Sequence, residues 1–322
     1  MDGMDTTQQH DAPPGRPPLG LPPAGLAALV LAVGLVVVAL ATTSTSDGGL
    51  SVGAAIVLGL VEGLTEWLPI SSTGHLTVTQ DLLGIDGDAA NSYAIAIQAG
   101  AILAVLWLYH HRFVAMLRGV RGHDPAGRRI LAAIVVACVP AVIVGLTFED
   151  VIKERLFGPW PVVAAWFVGG VVILVVARRR RDLAPDAGAP LSTLGWRDAL
   201  IIGVAQTLAL WPGVSRSLVT ILAATGLGLA VPAAVEFSFL LGFVILGGAT
   251  VYETVSSGAQ MMEAYGVVTP LLGLAVAFVS AFVAMRWMVD YLNRHGLGIF
   301  GWYRIAIAVV VAMLLLTGVI GP

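Results

Sequence analysis

The stretch EGLTEWLPISSTGH (Glu62–His75) places two acidic residues, a run of three hydroxyl residues and a histidine inside an otherwise apolar chain. Around it, 57% of the 322 residues are hydrophobic and only 11% are charged, against roughly 25% charged residues in an average soluble domain. So few charges cannot cover the surface of a soluble protein of this length. The composition therefore predicts an all-α polytopic membrane protein, and it excludes a disordered chain, a nucleic-acid-binding protein and a secreted disulfide scaffold.

Seven apolar segments have the length that a membrane-spanning helix needs, which is about 20 residues. The segments are approximately 24–43, 92–109, 130–148, 160–177, 236–253, 266–288 and 302–320.

The basic residues predict how these spans are oriented, because Lys and Arg accumulate on the cytoplasmic side. Thirteen of the 17 basic residues fall in three regions. These regions are the loop 109–129, the loop 178–198, and the loop 289–301 with Arg286, Arg294 and Arg304 at its flanks. We place all three inside, so that 81–91, 149–159 and 253–265 lie outside.

Two further segments, 51–83 and 199–230, do not fit as ordinary spans. The residues on both sides of 199–230 lie inside, so this segment has to enter and leave by one face. Its apolar halves are split by a Trp-Pro-Gly turn at 211–213, and 51–83 follows the same design from the outer face. Each is predicted to be a re-entrant helical hairpin, because irregular backbone at membrane depth is stable only within protein or beside a water-filled cavity.

The two hairpins also resemble each other in sequence. GLVE at 59–62 matches GVAQ at 203–206 at an offset of 144 residues, and one deletion later 69–72 matches 212–215. The spans that follow the two hairpins run in opposite directions. The pattern predicts an inverted-topology repeat whose broken hairpins meet near the midplane. The predicted repeats are about 51–177 and 199–320.

The amino-terminal region lies outside this repeat. Residues 1–22 are Pro-rich and polar and are predicted to be a disordered tail. Segment 23–45 is predicted to be an extra transmembrane helix, which puts the N terminus inside. The alternative is a signal-like segment, because Ala39-Leu-Ala41 resembles a cleavage site.

The first hairpin carries acids that are costly at membrane depth. Glu62 and Glu66 lie four residues apart, so a helix puts both on one face, where they repel each other. A cation or a shared proton is therefore expected nearby, and the two carboxylates are a candidate site for Mg²⁺ or Ca²⁺. The alternative is an ordinary solvated helix face.

After the acids, the hydroxyls of Ser71, Ser72 and Thr73, with the backbone N–H groups up to Gly74, are predicted to form an anion cradle. His75 is the one side chain here that titrates near neutral pH unaided. The alternative for His75 is a hydrogen-bonded packing residue.

The second hairpin contains PGVSRS at 212–217. Its Arg216 has the forked guanidinium that suits phosphate, and Gly213, Ser215 and Ser217 surround it, with Ser215 expected to cap the following helix. The alternative is that Arg216 only neutralises Glu62 or Glu66.

Glu236 is expected either to pair with Arg216 or to act as a helix N-terminal charge. Together, acids, a histidine, hydroxyls and an arginine in one polar pocket favour a phosphate ester or anhydride substrate over a peptide or sugar.

The stretches 62–75 and 212–217 resemble the two signatures of the undecaprenyl-diphosphate phosphatase family, the bacitracin resistance proteins. QAGAILAV at 98–105, EFSFLL at 236–241 and FGWYR at 300–304 also match. The resemblance covers about 50–320. It implies that 50–322 is a membrane phosphatase domain in the bacterial plasma membrane. Such a domain removes the terminal phosphate of undecaprenyl diphosphate and so recycles the lipid carrier for peptidoglycan synthesis.

One departure from the family pattern is Leu218-Val219 in place of the usual Gly-Ala, which is expected to add bulk beside the phosphate.

On this resemblance we expect catalysis near the outer leaflet. The expected catalytic residues are Glu66, His75, Arg216 and Ser72. The expected phosphate-binding residues are Ser71, Thr73, Gly74, Gly213, Ser215 and Ser217, and the candidate metal ligands are Glu62 and Glu66.

The nucleophile stays open among three candidates: Ser72 activated by His75, His75 itself and a water molecule. No organic cofactor is expected, the partners are the polyprenyl diphosphate and membrane lipids, and a homodimer is left open. The rival function is a lipid-phosphate transporter or flippase, because inverted repeats with broken helices are typical of transporters.

Overall fold

A computed structural model describes residues 50–180 and 187–321 of the chain. These residues form twelve α-helices, two short 3₁₀ segments (Leu191–Thr193 and Thr207–Leu210) and no β-strand. The helices are α1 Val52–Thr65, α2 Ser72–Leu82, α3 Asp88–Leu108, α4 His110–Val120, α5 Pro125–Thr147, α6 Glu149–Leu156, α7 Pro159–Arg180, α8 Trp196–Gln206, α9 Arg216–Gly226, α10 Val231–Tyr265, α11 Val268–His295 and α12 Gly298–Leu316.

Six of the helices in the described residues are long and apolar enough to cross a membrane: α3, α5, α7, α10, α11 and α12. They overlap six of the seven predicted spans, but α10 continues as helix through 254–265, which was predicted as an outside segment between two spans. The seventh predicted span, 24–43, and the predicted N-terminal tail lie outside the described residues. Large apolar side chains on these helices are exposed, as at Val255 (83% exposed), so the surface suits a lipid surrounding and the protein is a multi-pass membrane protein.

The remaining apolar segments each form two short helices separated by irregular backbone. In the first, α1 and α2 flank residues 66–71, which we call the first break; in the second, α8 and α9 flank residues 207–215, the second break. Each break contains a proline, whose ring prevents a continuous helix. The helices beside the breaks have 11 to 14 residues, too few to span a bilayer.

Each break ends in the same unusual backbone conformation. Ser71 has φ 72° and ψ 100°, and Ser215 has φ 76° and ψ 112°; they are the only non-glycine residues with positive φ among those described. This conformation is strained for a residue with a side chain, and such strain concentrates at functional sites. The next residue after each serine, Ser72 or Arg216, is the first residue of the following helix.

The short helices are held by close contacts with the long ones, and one glycine in each of two short helices shows how close these contacts are. A Cβ at Gly59 of α1 would lie 2.5 Å from the carbonyl oxygen of Gly273 in α11, and one at Gly203 of α8 would lie 2.5 Å from that of Ala137 in α5. No larger residue fits at either position without moving a helix. The packing therefore fixes where each break sits in the molecule.

Two helices were not anticipated from the sequence. The loop 109–129, predicted to lie inside, contains α4, and the segment 149–159, predicted to lie outside, contains α6. Both are short and more polar than the spans, so their hydrophobicity did not separate them from loops.

Candidate active site

The centre of the site is Glu66, at the start of the first break. Its Oε1 accepts a hydrogen bond from Arg216 Nη2 at 2.9 Å, and its Oε2 accepts one from the hydroxyl of Ser72. Gln98 Nε2 approaches the same Oε2 at 3.5 Å. The carboxylate therefore joins the first residue of α2 to the first residue of α9, across the two breaks.

Arg216 is held on three sides. Besides Glu66, its Nη1 donates to the carbonyl of Ser238 at 2.9 Å, and its guanidinium lies over the Trp67 ring, 4.8 Å from the centroid, where the ring face attracts a cation. Gly242 allows the guanidinium to pass, because a Cβ at that position would collide with it. The Nε–H of Arg216 is buried and has no hydrogen-bond partner among the described residues, so this donor is uncommitted.

The two serines beside Arg216 use their protons within the protein. The Ser217 hydroxyl donates to the carbonyl of Leu68 in the first break at 2.9 Å, so the Ser215 hydroxyl must be the donor in its 3.0 Å contact with Ser217. Ser215 Oγ also accepts from the backbone N–H of Leu218 at 3.3 Å, as predicted for a helix cap. The Ser217 hydroxyl therefore links the start of α9 to the first break, and in this arrangement neither hydroxyl has a proton left to donate to phosphate.

His75 is oriented by groups other than Ser72. Its Nδ1 lies 2.7 Å from the carbonyl of Ser71 and its Nε2 lies 2.8 Å from the hydroxyl of Tyr303. A carbonyl only accepts, so we assign the proton to Nδ1, and Nε2 then accepts from Tyr303. The edge of His75 also packs on Trp166, with ring centroids 4.9 Å apart. The hydroxyl of Ser72 donates to Glu66 and not to His75.

Glu62 lies one turn before Glu66 and is completely buried (0% exposed), and within the described part of the chain neither oxygen of its carboxylate has a hydrogen-bond partner. An unpaired buried carboxylate is costly, so it suits a bound proton or cation. Among the described residues, however, no group of three or more His, Cys, Asp or Glu side chains comes together. Mg²⁺ often takes one or two carboxylates together with substrate phosphates, and the Glu62 and Glu66 donor set fits only that kind of shared site.

The other predicted phosphate-binding positions have different surroundings. Thr73 is exposed. Gly74 allows α2 to pack on α7, since a Cβ there would lie 2.5 Å from Cζ2 of Trp166. Gly213 has φ 93°, and a Cβ there would lie 2.8 Å from the carbonyl oxygen of Val162, so the turn requires glycine. Leu218 is buried in the apolar core, which accommodates the bulk that was expected beside the phosphate.

Two expectations about charged residues are wrong. Glu236 neither pairs with Arg216 nor lies in the first turn of α10, which begins at Val231. Both of its carboxylate oxygens contact Arg112, with Arg112 Nη2 at 3.2 Å from Oε2. Arg304 was counted with the basic flank of an inside loop, but it is fully buried in α12 (0% exposed) and donates to carbonyls of both breaks. Hydropathy and loop charge cannot distinguish such a residue from a topogenic arginine, because its partners are distant in sequence.

The comparisons with known proteins agree with the motifs. The family model described as bacitracin resistance protein BacA matches residues 55–310. A protein of Sorangium cellulosum named undecaprenyl-diphosphatase is 46% identical over 264 residues, which cover 81% of this chain and 85% of that protein. Undecaprenyl-diphosphatase 1 of Burkholderia cenocepacia is 44% identical over 261 residues, covering 80% and 94%, and undecaprenyl-diphosphatase of Cupriavidus metallidurans is 41% identical over 283 residues, covering 83% and 96%.

Proposed function

The chain belongs to the bacitracin resistance protein BacA family, and we propose that it hydrolyses undecaprenyl diphosphate to undecaprenyl phosphate and inorganic phosphate. This activity recycles the lipid carrier for peptidoglycan synthesis and accounts for the resistance in the family name. The observation that carries the proposal is the Ser72–Glu66–Arg216 chain of hydrogen bonds, which brings a hydroxyl, a base and a phosphate-binding cation into one buried place.

The arrangement supports a reaction in two steps. In the first, the Ser72 hydroxyl gives its proton to Glu66 while Ser72 Oγ bonds to the terminal phosphorus, and the bond from that phosphorus to the bridging oxygen breaks. Glu66 passes that proton to the undecaprenyl phosphate, which leaves with the bond electrons, so that Glu66 is again a carboxylate. In the second step, a water molecule attacks the phosphoserine and gives a proton to Glu66, the bond from phosphorus to Ser72 Oγ breaks, and Glu66 returns the proton to Oγ as phosphate leaves.

Arg216 stabilises the charge that develops on the transferring group. Its unpartnered Nε–H is the donor that we assign to a phosphate oxygen. Since His75 is occupied by Ser71 and Tyr303, its role in this mechanism is to fix the strained end of the first break beside Ser72. A divalent cation, if required, would be held by Glu62 and Glu66 and would neutralise phosphate charge.

We further propose the finer topology: two inverted repeats whose breaks are re-entrant, with the site open to the outer face of the bacterial plasma membrane. The equivalence has support from packing and conformation, since α1 packs on α11 as α8 packs on α5. Ser71 and Ser215, which share the positive φ, are 144 residues apart like Gly59 and Gly203. This register pairs Ser71 with Ser215 and needs no deletion between the repeats.

The experiment is an assay of inorganic phosphate released by the purified protein in detergent with undecaprenyl diphosphate, beside Arg216→Ala. Release by the wild type and loss in the variant are expected. A transporter or flippase would move the lipid in vesicles without releasing phosphate, and well-folded protein that releases none would overturn the enzyme function.

Substrate labelled in its terminal phosphate tests the covalent step. Label is expected on acid-quenched wild type and on His75→Ala, and not on Ser72→Ala. Turnover with no label trapped on any form would favour direct attack by water.

A further inference from the structure

Arg304 joins three separate parts of the chain. From α12 its Nη2 donates to the carbonyl of Gly213 in the second break and to that of Ala165 in α7, both at 2.8 Å, and its Nη1 donates to the carbonyl of Pro69 in the first break at 3.3 Å. The planar guanidinium therefore fixes the distance between the two breaks.

The surroundings of Arg304 show that this cation is accommodated at a cost. The structure gives it carbonyl partners and no carboxylate partner within the described residues, and burying an uncompensated charge is strongly unfavourable. Helix α7 also carries glycine where the guanidinium lies, because a Cβ at Gly169 would collide with it. Trp166 also joins α7 to the first break, because its Nε1 donates to the carbonyl of Ile70 at 2.8 Å.

The groups proposed to react come from opposite breaks. Glu66 lies in the first break, Ser72 begins the helix after it, and Arg216 begins the helix after the second break. Their relative placement depends on the separation of the breaks, and a misplacement of about 1 Å in an active site can reduce the rate about 100-fold.

We infer that Arg304 is a positioning residue of the proposed phosphatase reaction: it clamps the two breaks so that Ser72, Glu66 and Arg216 meet at one phosphorus. Arg304 acts through the shape of its guanidinium group, which reaches three carbonyls at once, and not through its charge alone. This inference rests on the proposed function and adds a residue that touches no substrate.

The test compares Arg304→Lys and Arg304→Gln with wild type in the phosphate-release assay, with kcat and KM determined separately. We expect kcat to fall about 100-fold in both variants, with KM changed less than about threefold, because a lysine keeps the charge but donates from one atom and cannot span the three carbonyls. Arg180→Gln is the matched control, since Arg180 donates to one interhelical carbonyl, that of Thr225 at 2.8 Å, away from the breaks. It should retain wild-type kcat.

Rescue of kcat by lysine would show that charge is sufficient and would overturn the clamp, as would wild-type kcat in both variants. If the Arg304 variants do not fold, Gly169→Ala decides, because its methyl displaces the guanidinium while Arg304 remains. Its control, Gly301→Ala, crowds the same interface at the side chain of Leu174, 2.8 Å from the added Cβ, without a close contact to Arg304. A loss of kcat in Gly169→Ala alone supports the clamp, and equal kcat in the two contradicts it. A wild type that releases no phosphate would overturn the proposed function, whereas a wild type that releases phosphate beside unaffected Arg304 variants would overturn this inference alone.

Discussion

Gly242→Ala adds one methyl group beside Arg216 at the centre of the site without replacing any catalytic residue. The added Cβ would collide with the Arg216 guanidinium, which is wedged between Glu66, the carbonyl of Ser238 and the Trp67 ring. Because Gly242 is buried within α10, the methyl cannot turn away. The guanidinium has to move, and it then loses at least one of its two charged hydrogen bonds.

The size of the effect follows from those contacts. A hydrogen bond to a charged group contributes about 1.5–3 kcal/mol, and its loss from the transition state corresponds to roughly a 10- to 150-fold reduction in kcat/KM. The assay is phosphate release from undecaprenyl diphosphate, with thermal unfolding in detergent as the check on folding. Gly248→Ala is the matched control, because a Cβ at Gly248 of the same helix would meet nothing within 4 Å.

We expect Gly248→Ala to retain wild-type kcat/KM. If Gly242→Ala also stays within about twofold of wild type, which corresponds to less than about 0.5 kcal/mol, then Arg216 is not held where the structure places it and the reasoning is refuted.

Three further predictions test other contacts. Tyr303→Phe removes the donor to His75 Nε2 and should lower kcat about tenfold with an unchanged melting temperature, a loss of about 1.4 kcal/mol; unchanged kcat would show that this hydrogen bond does not matter. Gly63→Ala adds a Cβ that collides with α11, so it should lower the stability by about 1–3 kcal/mol, measured by unfolding in detergent, and an unchanged midpoint would contradict the packing. Arg112→Gln and Glu236→Gln should each leave phosphate release intact. In a double-mutant cycle of unfolding, the coupling free energy between the two residues should be no more than about 1 kcal/mol, because Arg112 is partly exposed. Loss of phosphate release in Glu236→Gln alone would show that Glu236 belongs to the active site.

Local sequence was sufficient for much of the architecture. Membrane spans are recognised by composition and length, which is why six of them were predicted close to their observed positions. The breaks were visible because Pro69 and Pro212 interrupt apolar segments among polar residues. One alternative considered for Arg216 was that it neutralises Glu62 or Glu66, and Arg216 does form an ion pair with Glu66.

The features that the sequence did not predict depend on contacts between residues far apart in the chain. Tyr303 reaches His75 across 228 residues, and Arg304 reaches Pro69 across 235. No periodicity or spacing encodes such contacts. The charge count even pointed the wrong way for Arg304, because an arginine near a span end is ordinarily a sign of orientation. Glu236 was misassigned for the same reason, since its partner Arg112 lies 124 residues earlier.

The central claim is that the two breaks form one active site, with Glu66 from the first and Arg216 from the second acting on the same phosphate. The most direct measurement is a double-mutant cycle in the phosphate-release assay with Glu66→Gln, Arg216→Gln and the double variant. Residues that act as a unit have strongly non-additive effects, so each single variant should lose most of the activity and the double variant should be no worse than the weaker single one. Losses that multiply in the double variant, or a single variant with wild-type activity, would contradict the account.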